Sequence, residues 1–141
     1  MTILLLAGGM LIKITDAYAY GIPDYQINYG YNFNNNCLFT EARSKSDYSP
    51  VYIKCTSTSD VNHNPENYQY RVYVYGTNSE GILGTDYTEY QNIQYVLSQG
   101  EEAIIENTVV NHGYTRVSMR GCPWSSILYF NASGVWCPTT H

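Results

Sequence analysis

"YQINYGYNF", residues 25 to 33, decides the fold. Ile27, Tyr29, Tyr31 and Phe33 fall on one side of it, while Gln26, Asn28, Gly30 and Asn32 fall on the other. A period of two belongs to a strand with one buried face, because successive side chains of a strand point to opposite sides. The alternation recurs in "PVYIKCTST" (50–58), with Val51, Ile53 and Cys55 on one face. It recurs again in "YQYRVYVYG" (68–76), with Tyr68, Tyr70, Val72 and Val74 inward and Tyr73 and Tyr75 outward beside Gln69 and Arg71. No stretch has a convincing helical period. Loops rich in Asn, Gly and Pro separate the runs, so the pattern predicts an antiparallel β-sandwich or barrel of about eight short strands, stapled by disulfides.

The neighbours of the first strand suggest a meander. Asn34 to Asn36 is expected to turn the chain, since asparagine tolerates left-handed backbone geometry. Pairing Phe33 with Cys37 then sets Tyr31 opposite Phe39, and folding back near Ser46 sets Cys55 opposite Cys37. Further along, "NHG" (111–113) reads as a hairpin loop between "AIIENTVV" and "YTRVSM", with Gly113 supplying a positive φ. "NASG" (131–134) reads as a turn between "SILYF" and "GVW". "GTNSEGILG" (76–84) is a further turn and "YQNIQYVL" (90–97) a further strand.

The chain of 141 residues is 44% hydrophobic and 13% charged, enough for one domain with a real core and too short for two. Residues 3 to 12, "ILLLAGGMLI", are apolar but fall short of the roughly 20 residues a membrane-spanning helix needs. Ala17-Tyr18-Ala19 follows, in the small-x-small pattern of a signal-peptidase site. Residues 1–19 are therefore expected to be a secretory signal and 20–141 a single secreted β-sandwich domain. No membrane span is expected in the mature chain.

A net charge of −5 argues against nucleic acid, and Arg116 and Arg120 are the only close basic pair on one strand face. Cys37, Cys55, Cys122 and Cys137 are an even set in an exported chain, which reads as disulfides. The meander register favours Cys37 with Cys55 and leaves Cys122 for Cys137. Their spacings fit no zinc site, and neither a metal nor another cofactor is expected.

Catalytic signatures are missing from the sequence: it has no nucleophile elbow, no His-Glu-x-x-His and no phosphate loop. "DVNHNP", from Asp60, begins like a calcium loop but has Pro65 where glycine is required and Arg71 at the twelfth position, so a polar surface turn is expected. Glu101 and Glu102 are adjacent on a strand and face opposite ways, which reads as a solvated turn after Gly100 and not as a carboxylate pair. His112 reads as a turn residue. No catalytic residues are assigned, and the protein is read as a non-enzyme.

"QGEEAIIENTVVNHGYTRVSMRG" (99–121) followed by "SGVWCP" (133–138) resembles the closing segment of small secreted proteins of Gram-positive bacteria, similar in size and pattern to the lactococcin-like bacteriocins. The resemblance covers the C-terminal third. It implies a secreted β-sandwich, bacteriocin-like or associated with an export transporter, and supplies no catalytic residues.

The chain holds 16 tyrosines against 3 phenylalanines and 2 tryptophans, more than a core of this size requires. Tyrosine gives contact area at low entropic cost, so the surplus points to a recognition surface made of Tyr73, Tyr75, Trp124 and Trp136. The primary expectation is a secreted binding protein of unknown target, its partner a protein, a cell wall or a carbohydrate. A carbohydrate- or cell-wall-binding module, with the same rings as stacking platforms, is the alternative, and an enzyme of unknown type the third.

Overall fold

A computed structural model describes residues 3–6, 11–14, 25–78, 83–88, 94–124 and 126–140. It is an all-β sandwich. Two N-terminal strands, β1 (Ile3–Leu6) and β2 (Leu11–Ile14), pair antiparallel with each other. The predicted cleavage site at Ala17-Tyr18-Ala19 lies outside the described residues, as do residues 79–82 of the turn expected at 76–84. Of the strand expected at 90–97, only Val96–Leu97 is described as a strand.

Ten further strands build the sandwich. They are β3 (Ile27–Asn34), β4 (Leu38–Phe39), β5 (Arg43–Ser44), β6 (Val51–Ser59), β7 (Tyr70–Thr77), β8 (Leu83–Asp86), β9 (Val96–Leu97), β10 (Glu102–Ile105), β11 (Arg116–Pro123) and β12 (Tyr129–Cys137). One sheet runs in the order β10-β6-β12-β3. The other runs β4-β11-β7-β8, with β5 also on β11 and β9 also on β7. Among the described residues, no helix is long and apolar enough to cross a membrane.

The inward faces follow the alternation of the sequence. Tyr29, Tyr31 and Phe33 of β3, Val51, Ile53 and Cys55 of β6, and Tyr70, Val72 and Val74 of β7 are all buried in one core. Tyr68 precedes β7 and is only half-buried, its ring against Phe130 at 5.0 Å between centroids. The inward tyrosines keep their hydroxyls satisfied, as buried polar groups must. Tyr31 donates to the Met119 carbonyl at 2.9 Å, and the Tyr29 and Tyr70 hydroxyls bond to each other, with Tyr29 also donating to the Lys54 carbonyl.

The meander is not formed. Asn35 has a φ of 61° and donates its N–H to the Leu128 carbonyl, and the chain at Asn34–Asn36 steps from one sheet to the other. β3 therefore pairs with β12 (Phe33 with Phe130, Tyr31 with Ala132), and β4 pairs with β11 (Phe39 with Arg120). Either arrangement satisfies the alternation of β3, because parity fixes which face is inward and leaves the neighbour open. Phe39 points outward and is 41% exposed, against the expectation that it faces the core.

The two turns expected later in the chain are also different. Gly113 has the predicted positive φ (83°), but it follows a 3-10 turn at Val110–His112 that carries the chain from β10 to β11, strands of opposite sheets. "NASG" lies inside β12 and does not turn. There the β6 partner has one extra residue, Thr56, since Ser133 faces Ser57 and Gly134 faces Cys55. Glycine is needed at 134 because a Cβ would sit 1.9 Å from the Lys54 carbonyl oxygen. It serves a bulge, where backbones come close.

The C-terminal segment is pinned by Lys45, which is almost fully buried. Its ammonium donates to the Pro138 carbonyl at 2.7 Å and to the Ser49 carbonyl, with Asp47 at 3.5 Å. Burial lowers the Lys45 pKa, and Asp47 works against that shift.

Candidate binding surface

The outward face of the six-stranded sheet is built by parity and register together. With Tyr70, Val72 and Val74 inward, β7 must present Arg71, Tyr73 and Tyr75 outward. Across the ladder on β11 stand Cys122 opposite Arg71, Arg120 opposite Tyr73 and Ser118 opposite Tyr75. β4 adds Phe39 beside Arg120. Trp124 follows β11 and extends the pairing, its N–H donating to the Gln69 carbonyl at 3.1 Å.

The two arginines thread through the rings. The Arg71 guanidinium carbon lies 4.6 Å from the Tyr73 ring centre and 5.6 Å from that of Trp124. Arg120 lies 5.6 Å from Tyr73, 5.7 Å from Tyr75 and 5.9 Å from Phe39, and its Nη1 donates to the Tyr75 hydroxyl at 3.1 Å. Both guanidinium carbons are thus within 6 Å of Tyr73, which limits their separation to about 10 Å. Phe39 meets Tyr75 edge to face at 5.3 Å. Each cation–π contact is worth about 0.5–1 kcal/mol at an exposed site, and it holds the guanidinium plane while leaving its outer N–H groups free to donate.

Two other cations of the protein find acids, whereas Arg116 donates to a backbone carbonyl. Arg43 pairs with Glu41 at 2.9 Å, and Lys45 with Asp47. Among the described residues, no carboxylate lies within ion-pair reach of Arg71 or Arg120. In a chain of net charge −5, two ring-held guanidiniums with no counter-charge among the described residues form a local positive feature on an acidic molecule.

A cross-strand disulfide closes the end of this face. Cys37 bonds Cys122, with Cα atoms 4.2 Å apart, one step beyond the Leu38–Gly121 pair. The favoured pairings, Cys37 with Cys55 and Cys122 with Cys137, are both overturned. Cys55 and Cys137 are buried free thiols. Cys55 lies in the core, and Cys137 lies on the opposite face of its sheet against Tyr52 and Ile104. The reason is the failed meander: once β4 leaves for the other sheet, Cys37 has no path to Cys55. The bridge instead anchors both segments that deliver aromatic rings here, Phe39 two residues after Cys37 and Trp124 two residues after Cys122.

Of the four rings predicted for a recognition surface, the structure brings three to this face. Tyr73 and Tyr75 are half-buried and Trp124 is 41% exposed. Trp136 is a correction: it is 1% exposed and packs in the core, because it shares parity with Phe130 and Ala132 and pairs with Ile27 and Ile53. The sequence reading missed Arg71, Arg120 and Phe39 as members. Arg71 was legible from its outward parity beside Tyr73. Arg116 shares a strand face with Arg120, yet its Nη2 donates to the Ala42 carbonyl.

The remaining polar candidates are structural. Asp60 accepts from the Asn62 and Asn64 N–H groups and the Asn64 amide, which lowers its pKa and caps a polar surface turn. Glu101 accepts from the Ser98 N–H at 2.8 Å, and Glu102 from the Tyr52 hydroxyl at 2.8 Å. His112 stacks on Tyr87 at 4.2 Å. Among the described residues, no group of three His, Cys, Asp or Glu side chains could hold a metal ion.

A family model described as "Protein of unknown function (DUF2712)" matches residues 16–140. No curated protein and no solved structure matches the chain.

Proposed function

The chain belongs to this family, and we propose that it is a secreted binding protein whose target docks on the arginine and aromatic face of β7 and β11. In this reading it is exported behind residues 1–19 and acts as a bacteriocin-like or transporter-associated protein, by binding and not by catalysis. Support for export comes from the apolar run, the Ala17-Tyr18-Ala19 step and a disulfide of the kind that persists in oxidising compartments.

The observation that carries the reading is the pair Arg71 and Arg120, fixed on rings and unmatched by a carboxylate among the described residues. Arginine, tyrosine and tryptophan are the residues that most often anchor interfaces. Open guanidinium N–H groups beside exposed Phe39 and Trp124 suit a target that presents anionic groups next to apolar ones. A bare sugar platform is a poorer fit here, since two guanidiniums already lie on the Tyr73 ring.

Attachment of the labelled mature protein to whole Gram-positive cells tests this. Arg71→Gln with Arg120→Gln should weaken attachment by about tenfold or more, as truncating charged anchors does. Added salt should weaken the parent as well. Equal attachment by parent and variant sinks the assignment of this face.

A further inference from the structure

The outward face of the other sheet holds an open trough of about 490 Å³, a volume within the range of small-molecule sites. Register explains its shape. Ser133 of β12 faces Gly30 of β3 and Ser57 of β6, and in the next outward row Asn131 faces Asn32 and Ser59. Two rows of short side chains thus cross three hydrogen-bonded strands, and His63 stands at the rim from the Asp60 loop. The Ser57 and Ser133 hydroxyls bond to each other at 2.6 Å, and the Asn131 amide donates to the Asp60 carbonyl at 3.0 Å.

Gly30 is the telling position. It sits mid-strand with an ordinary negative φ, and nothing lies within 4 Å of where its Cβ would be. Glycine inside a strand costs about 0.5–1 kcal/mol of stability relative to alanine. Neither the backbone nor a neighbour requires it. What its absent side chain does is keep the trough open.

No lysine, arginine, aspartate or glutamate lines the trough. Its groups are amides, hydroxyls and an imidazole, which offer both donors and acceptors. Tyr129, two residues before Asn131 on β12 and therefore on the same face, is 55% exposed and opposite Asn34. An uncharged polar floor beside an exposed ring matches a hydroxyl-rich ring with one apolar face. The backbone groups of β6 and β12 are spent in the ladder, so apart from the outer edge of β3 the floor meets a ligand through its side chains. We propose that this trough is a second binding site, independent of the arginine face, and that its ligand is a neutral saccharide.

The experiment is a titration of the isotope-labelled mature protein, followed by backbone amide shifts. The probes are neutral oligomers of glucose, mannose, galactose and N-acetylglucosamine, with oligogalacturonate as the charged control. At least one neutral oligomer should move Asn32, Ser57, Tyr129 and Asn131 while leaving Tyr73 and Arg120 in place. Gly30→Tyr, whose Cβ meets no atom within 4 Å, should weaken that binding at least about tenfold, and Tyr129→Ala, an exposed change that spares the fold, should do likewise. The proposal fails if no neutral oligomer moves these amides, if only oligogalacturonate does, or if both variants bind as the parent does.

Discussion

Tyr73 and Gly30 are each the fourth residue of an eight-residue strand and each points away from the core, but one carries two guanidiniums and the other carries nothing. Behind them the two sheets are alike. Tyr31 backs Gly30 and Val72 and Val74 back Tyr73, all in a single core. The inward half of a strand must meet packing demands shared by both sheets, whereas the outward half is released from them. Differences in outward chemistry, charged and aromatic around Tyr73, neutral and small around Gly30, therefore report what each patch meets.

The largest expected effect concerns the inward tyrosines and is alkaline. Burial holds the Tyr29, Tyr31 and Tyr70 phenols well above their ordinary pKa of 10.0. Above about pH 10 the unfolded chain ionises these phenols and the folded chain does not, so the folded state binds more protons. Stability present below pH 10 is then lost as pH rises, by roughly 4 kcal/mol per pH unit for three such groups. Lys45, whose pKa is lowered by burial, works in the opposite direction but is one group against three. Phenolate absorbance should appear together with unfolding. Smooth ionisation of all the tyrosines without unfolding would show that the inner rings are open to water.

Next in size is the Cys37–Cys122 bridge, which spans 85 residues and ties only the six-stranded sheet. A chain-entropy estimate for a loop of that length is about 4–5 kcal/mol. Cys37→Ser with Cys122→Ser should cost an amount of that order in denaturant melts. The thiols of the other sheet are buried, so the native protein should resist a thiol reagent and the unfolded, unreduced protein should react at two sites per chain. Finding none after unfolding would mean that Cys55 and Cys137 are bridged as well, and non-reducing peptide mapping would then decide among the three pairings.

Alternation along β3, β6 and β7 could be read from the sequence because it is local: each residue's face depends only on its parity. Partnership could not. Cys37 meets a residue 85 positions away, and the choice turns on whether Asn34–Asn36 makes a hairpin or a crossing between sheets, which the same asparagines serve equally well. The same limit hid both surfaces. Tyr73 and Tyr75 were visible as an outward pair, but Arg120, Phe39 and Trp124 join them only through pairing. Trp136 was misplaced because "NASG" looked like a turn, and a continuous β12 puts that tryptophan on the inward side. The trough is formed by residues of three strands that are far apart in the chain, so no single stretch announces it.

Single rings should then separate the inner and outer roles of one strand. Tyr70→Ala removes a fully buried ring and should cost about 3–5 kcal/mol, as other buried aromatics do. Tyr73→Ala and Tyr75→Ala remove half-buried rings from the outward face and should cost far less, although each also gives up cation–π contacts of about 0.5–1 kcal/mol. Comparable losses at Tyr70 and Tyr73 in a urea melt would mean that the arginine face is packed as structure and is not held for a partner.

The smallest effect has the opposite sign. If Gly30 is retained only to keep the trough open, giving it a strand-favouring side chain should raise stability. Gly30→Tyr meets no atom within 4 Å at its Cβ, needs no change of φ, and trades glycine's backbone entropy for a residue suited to a pleated surface. A gain of about 0.5–1 kcal/mol is expected, read as a higher denaturant midpoint with an unchanged slope. Gly134→Ala in the facing strand is the control, because its Cβ would strike the Lys54 carbonyl oxygen and it should lose stability. A Gly30 variant that loses stability as well would mean that glycine serves the fold at both positions, and the argument that the four-stranded sheet gives up stability for an open surface would fall.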